Sequence, residues 1–196
     1  EAASFGYPQA MISDGTNLYV ADTNNNKIRK IVISSGVVTT LAGSGDEGAA
    51  DDNDGTSASF RYPSGITSDG TNLYVSDINN HKIRKIVISS GVVTTFAGSG
   101  TAGFANGTGT AASFNKPRGI TTDGTNLYVG DYDGRKIRKI VISTGVVTTL
   151  AGTGDEGSAD GSGTSASFNG PIAISSDGTN LYVSDYLGHT IRKIAL

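Results

Sequence analysis

Four aspartates, Asp22, Asp77, Asp131 and Asp185, stand at matched places in this chain, each followed seven residues later by an arginine: Arg29, Arg84, Arg138 and Arg192. A ring of carboxylates could hold a cation or serve acid–base chemistry. Their neighbours favour a structural reading. Each aspartate opens a turn rich in Asn or Gly, where a carboxylate accepts backbone N–H groups of the turn that follows it. The arginines lie across a hairpin from the preceding strand, placed to lean over neighbouring segments and pair with an aspartate. His81 and His189 share one turn position, held by Asn26 and Arg135 in sister copies. Zinc needs three or four converging ligands. Two histidines at separate hairpin tips do not converge, so both read as exposed turn residues, and no metal or cofactor is expected. The stretch "ADDNDG", from Ala50 to Gly55, has the acidity of a calcium loop. Alanine stands where such a loop begins with an acid, however, and Arg61 stands where it needs a glutamate. A flexible linker is expected there. No Gly-x-Ser-x-Gly elbow precedes a helix, and no Asp–His pair is placed to activate a serine. Asn106-Gly107-Thr108 is a glycosylation sequon only in a chain that passes a glycosylating compartment.

These residues belong to a repeat. Leu-Tyr-Val begins at Leu18, Leu73, Leu127 and Leu181, and the prolines Pro8, Pro63, Pro117 and Pro171 keep the same spacing of 54 or 55 residues. Each unit reads as four short strands. In the second copy they are "SGITS", "NLYVSD", "KIRKIVIS" and "VVTTFAG", rich in Val, Ile, Thr and Tyr. Asp-Gly marks a tight hairpin between the first two. Leu73 and Val75 are expected on one face, Tyr74 on the other; Val93 and Ala97 are expected to share a face. Apolar residues occupy both faces, so each small antiparallel sheet must be covered on both sides. Four-stranded sheets stacked face to face with a period near 50 predict an all-β chain, a β-propeller of four blades. It reads as a single domain over 1–196, with units at about 8–62, 63–116, 117–170 and 171–196. The fourth unit stops at "IRKIAL" and lacks its outer strand. An open arc would expose an apolar face at each end, so closure is expected, within one chain or by self-association. Between Pro8–Gly45 and Pro63–Gly100, 30 of 38 positions match. Such near-identity reads as recent amplification or deliberate construction, and both stay open.

Composition narrows the class of partner. The chain of 196 residues has 36% hydrophobic and 17% charged residues, a formal net charge of −3 and no cysteine or tryptophan. Disulfide frameworks and Cys-ligated metals are excluded. Mild acidity without a basic block argues against nucleic acid or an anionic membrane as main partner. No apolar run approaches the ~20 residues that cross a bilayer. No signal peptide is visible and the compartment stays unknown, with a lean toward a secreted or cell-surface setting.

"PSGITSDGTNLYVSDINNHKIRKI" resembles the NHL-repeat signature, and linkers such as "AGTGDEGSADGSGTSASFNGP" resemble those of a bacterial, long-linker subtype. The resemblance implies a propeller in which one rim carries the turns between second and third strands together with the inter-blade linkers. It also implies six blades as the usual number, where this chain has four. On that rim the varied residues are Asn25, Asn26, Asn80, His81, Tyr132, Arg135, Tyr186 and His189. The expected function is a non-catalytic scaffold or binding module for protein or carbohydrate. The alternatives are a structural or engineered repeat without ligand and, less favoured, a propeller lyase or hydrolase. An enzyme would want His, Asp or Glu converging on the axis, and the first strands supply only Arg118 as a charge.

Overall fold

The structure, a computed structural model, describes residues 3–196. Glu1 and Ala2 of the expected domain lie outside the described residues. The first blade is built of β1 (Pro8–Ser13), β2 (Asn17–Asp22), β3 (Lys27–Val32) and β4 (Val38–Ala42), and the second of β5 (Pro63–Ser68), β6 (Asn72–Asp77), β7 (Lys82–Val87) and β8 (Val93–Ala97). The two-residue β9 (Gly107–Thr108) lies in the following linker. Next come β10 (Pro117–Thr122), β11 (Asn126–Asp131), β12 (Lys136–Val141) and β13 (Val146–Ala151), with β9 on their outer edge. The last blade has three strands, β14 (Pro171–Ser176), β15 (Asn180–Asp185) and β16 (Thr190–Ala195). Every blade is an antiparallel meander, and the chain is an all-β propeller of four blades with an incomplete last one.

The Asp-Gly hairpins are held by their own side chains. Asp14 accepts the N–H groups of Thr16 and Asn17 at 2.8 and 2.6 Å and the Tyr19 hydroxyl at 2.9 Å. Asp69, Asp123 and Asp177 repeat the pattern. Hydrogen bonds from Asn17 and Thr16 hold the Asp14 carboxyl below its usual range. Partial burial works against the same effect at Asp123, which still falls to about 2 through Asn126, Thr125 and Tyr128.

Blades pack through unlike faces. The Tyr19, Ala21, Ile28 and Ala42 face of the first blade meets Ile66, Leu73, Val75, Ile86 and Val93 of the second. Tyr74, Ile83 and Ala97 then meet Ile120, Leu127, Val129, Ile140 and Val147 of the third, and Tyr128, Ile137 and Ala151 meet Leu181 and Val183 of the fourth. Val93 and Ala97 therefore face opposite neighbours, against the expectation from simple alternation. The cause is a bulge. Ile83 pairs with Ala97 and Arg84 with Thr95, so Phe96 is skipped and the side-chain phase inverts along β8. Phe96 then packs edge-on against Tyr74, with centroids 5.1 Å apart.

The seam between fourth and first blades is different. Among the described residues no core cluster joins them. Ile28, Ile83 and Ile137 are fully buried, while Ile191 at the same position of the last blade is 71% exposed. Met11 is 64% exposed where Ile66 and Ile120 are 6% and 7%. Closure within the chain, one of the two routes expected from the sequence, is not what these faces show. Each aliphatic left out forgoes about 1.5–3 kcal/mol of burial.

Candidate functional site

The four aspartates and arginines form one structural device used in every blade. The carboxylates do accept backbone N–H groups, but not from the turn that follows. Oδ1 of Asp22, Asp77, Asp131 and Asp185 receives the N–H of Gly6, Arg61, Asn115 and Asn169, sixteen residues upstream, at 2.7, 2.7, 2.7 and 2.8 Å. The incoming linker supplies these donors because it crosses the rim directly over the carboxylate. Oδ2 of Asp22 and Asp77 takes the side-chain amides of Asn25 and Asn80 at 2.9 and 2.8 Å. The arginines lie 3.2, 3.0, 3.2 and 3.8 Å from their aspartates.

Arg84 shows the full arrangement. It is fully buried, donates to the carbonyls of Ser59 and Ala50 at 2.8 Å each, reaches Asp51 at 2.7 Å, and stacks 5.0 Å over Phe60. Arg138 and Arg192 repeat it with Phe114 and Phe168. The "ASF" phenylalanine before each blade is thus a platform for a buried guanidinium, a role its sequence position did not disclose. Burial pushes the Asp131 carboxyl up to about 7 against the Asn115 N–H and Arg138, and raises Asp77 and Asp185 as well. Such a buried pair holds chain segments together, and the Nε of Arg29, Arg84 and Arg138, like that of Arg118, has no hydrogen-bond partner among the described residues.

The "ADDNDG" linker is not loose. Besides the Arg84 bonds, Asp51 accepts the Thr95 hydroxyl at 3.1 Å, and Asp52 exchanges both backbone bonds with Val93 at 3.2 and 2.9 Å. It runs as an extra edge piece on the second blade. Asn106 of the sequon takes the equivalent place beside Arg138, at 3.1 Å.

The turns between second and third strands share one rim with the linkers, as bonds between the two show. Asn26 is buried; its Nδ2 donates to Gly45 O at 3.2 Å and its Oδ1 accepts the Tyr62 N–H at 3.0 Å. Asn80 Nδ2 donates to Gly48 O at 2.6 Å. His81, expected to be exposed, is half-buried, and its Nδ1 accepts the Lys116 N–H at 3.1 Å. Burial, with the Lys116 charge, lowers its pKa. Asn26 and His81 thus perform one task, binding the next blade's entry. Arg135 pairs with Glu156 at 3.2 Å on the surface. In the last blade Tyr186 and His189 are exposed. Of the rim residues picked out from sequence, Asn25, Asn26, Asn80 and His81 are engaged within the chain. Tyr132, Arg135, Tyr186 and His189 remain on the surface or near it.

Sequence reasoning passed over Arg118 as a ligand contact. Its guanidinium lies 4.5 Å over the Tyr132 ring, and its Nε is buried without a partner. Arg118 lines a cavity of ≈ 640 Å³ bounded by the inner strands of all four blades, including Gln9, Ser64, Gly119 and Ala173. The available signal was that Arg118 is the one charge in the first strands. No three His, Cys, Asp or Glu side chains converge among the described residues, and no helix is long and apolar enough to cross a membrane.

Repeated meander blades around a cavity, with varied turns on one rim, define a β-propeller. No family model matches the chain. NHL repeat-containing protein 2 of Homo sapiens is 28% identical over 98% of this chain and 30% of its own length. The chain spans less than a third of the length of the curated relatives it matches. A solved structural genomics protein of unknown function from Bacteroides thetaiotaomicron is 28% identical with a TM-score of 0.80, over 97% of this chain and 47% of that one. An auxiliary nutrient binding protein from the same bacterium shares the fold at 21% identity and a TM-score of 0.70, over 90% of this chain and 44% of that one. The chain is a four-bladed β-propeller whose repeats are similar to those of NHL repeat-containing protein 2.

Proposed function

We propose that the chain is a non-catalytic binding module that takes its ligand, protein or glycan, on the turn-bearing rim at the mouth of the central cavity. The observation that carries this reading is Arg118, which lines that cavity and lies over the Tyr132 ring. A guanidinium with donors to spare and an aromatic ring beside it suits polar, hydrogen-bonding ligands. Tyr186 and His189 extend the same rim with exposed donors and acceptors. The nutrient-binding description of one propeller of this fold supports a binding role. Shallow sites without tryptophan are expected to bind singly at about micromolar strength, on the order of −8 kcal/mol, and to gain through repetition.

The test is a glycan and peptide array followed by calorimetry on each hit. Arg118→Ala and Tyr132→Ala are expected to weaken binding at least tenfold. Changes in the "DGTN" turns of the opposite rim should leave it within twofold. Loss of binding only on the "DGTN" changes puts the ligand on the other face. A chain that binds nothing in either format is the structural repeat named as the alternative.

A further inference from the structure

Among the described residues, Arg29, Arg61, Arg84, Arg135, Arg138 and Arg192 each have a carboxylate oxygen within 3.2 Å. Arg118, the remaining arginine, has none there, and its guanidinium makes no hydrogen bond to any described residue. The nearby carboxylates are already engaged: Asp133 lies 2.7 Å from Lys116, and Asp131 is paired with Arg138. Arg118 is half-buried and is the one charged residue lining the central cavity. A cation in that position ordinarily has a partner, because withdrawing it from water without one is costly.

Three departures from the repeat meet at this place. The residue after the opening proline is Gln9, Ser64 and Ile172 in the other copies. The residue after the turn aspartate is Thr23 and Ile78 in the first two copies and Tyr132 in the third. The residue before the proline is Tyr7, Tyr62 and Lys116 in the first three copies and Gly170 in the last. Arg118 lies 4.5 Å over the Tyr132 ring, and a Cβ on Gly170 would come within 2.8 Å of Tyr132 Cε2. The glycine makes room for the ring, and the ring supports one side of the guanidinium. In the same cavity wall the Ser64 hydroxyl donates to Gln9 Oε1 at 2.6 Å. That occupies the Gln9 acceptor and leaves its amide N–H groups as donors.

We propose that Arg118 receives the carboxylate of a small monoanionic ligand held in the central cavity, with Tyr132 and Gly170 positioning the guanidinium. The proposal rests on the binding role given above and names the chemistry of the ligand. Donors without acceptors call for an acceptor-only group, and a carboxylate meets a guanidinium through two parallel hydrogen bonds. The lining supplies one positive charge, which balances a monoanion and leaves a phosphate, at about −1.5 to −2, only partly neutralised. The volume of ≈ 640 Å³ falls within the roughly 300–1,000 Å³ of small-molecule sites.

The test is calorimetric titration of the 196-residue chain with D-glucuronate and with N-acetylglycine, each beside its neutral amide, and with inorganic phosphate. At least one carboxylate is expected to bind saturably, about tenfold or more tighter than its amide and than phosphate, since the charged hydrogen bonds are lost in the amide. Which of the two binds separates a sugar acid from an amino-acid carboxylate as the source. Arg118→Gln installs the residue of the first copy, breaks no bond within the described residues and should abolish the preference for carboxylate over amide. Tyr132→Thr should weaken carboxylate binding about threefold or more, and Tyr132→Phe, which keeps the ring, should hold it within about twofold. No saturable binding of either carboxylate at about 50 mM, well above a millimolar dissociation constant, overturns the proposal. So does equal binding of acid and amide, tighter binding of phosphate, or a preference that survives Arg118→Gln. Array ligands that lose affinity on Arg118→Ala but bind equally well with their carboxyl groups amidated would keep the rim reading and overturn this one. Array ligands indifferent to Arg118→Ala, beside a carboxylate preference that requires Arg118, would keep this site and remove the rim reading.

Discussion

At the scale of single residues the chain's polar groups serve blade-to-blade attachment. Asn26 and His81 show how two side chains fill one role: Oδ1 in one copy and Nδ1 in the next each accept the N–H that leads into the following blade. Both residues have φ near +50°, the left-handed region where Asn sits more easily than most residues. His81→Asn is therefore expected to hold stability or raise it slightly. His81→Ala removes the acceptor and is expected to cost about 1–3 kcal/mol, as read from urea unfolding at pH 7.5. The pH dependence separates the two further. The His81 pKa is lowered in the folded state, so the folded chain binds fewer protons than the unfolded one. Its contribution is full above the unfolded value near 6.5 and drains away as pH falls through the folded value. The parent chain should lose stability across that interval relative to His81→Asn. A parent and variant with parallel pH profiles would show that burial and the Lys116 charge do not hold His81 neutral.

The element that sets the tightness of the assembly is the inner strand. Strands β1, β5, β10 and β14 line the cavity side by side. A Cβ on Gly65 would run into the carbonyl oxygen of Arg118, and one on Gly119 would meet Ala173 Cα at 2.7 Å. Gly65→Ala is expected to cost about 1–3 kcal/mol by overpacking. The first blade manages with Ala10 at this position, so some relaxation is available and the lower half of that range is favoured. Ala173, which has no following blade against it, should accept glycine with a change within about 0.5–1 kcal/mol, the backbone entropy of the residue itself. Equal losses for Gly65→Ala and Ala173→Gly would remove close strand approach as the reason.

The molecule as a whole presents an incomplete circuit. Among the described residues three junctions of the same kind hold four blades, and the faces that would make a fourth are exposed on both sides. Ile83→Lys buries a charge in the second junction and is expected to cost more than about 4 kcal/mol or prevent folding. Ile191→Lys, at the equivalent place on the open face, should stay within about 0.5 kcal/mol. A loss at Ile191 that rivals Ile83 would mean the seam is covered in solution. Light scattering on the same samples would then separate closure within one chain from pairing of two.

Period and turn chemistry made the architecture legible from sequence. A 54-residue repeat of β-branched strands with Asp-Gly hairpins admits little besides stacked meanders, because both faces of every strand are apolar and only another blade can cover them. The equivalence of Asp22, Asp77, Asp131 and Asp185, and their structural role, followed from the same spacing. What the sequence left open depends on groups far apart along the chain. The donors to those carboxylates come from sixteen residues upstream, and the ring under each guanidinium belongs to the preceding linker. The bulge at Phe96 divides Val93 from Ala97 because strand pairing, not alternation, sets the phase. The Arg118–Tyr132 pair joins β10 to the turn that follows β11, and Arg118 has no repeated counterpart to draw notice. Local periodicity constrains which residues share a face; only the tertiary structure decides which face meets which, and Ile191 is exposed where three identical isoleucines are buried for that reason alone.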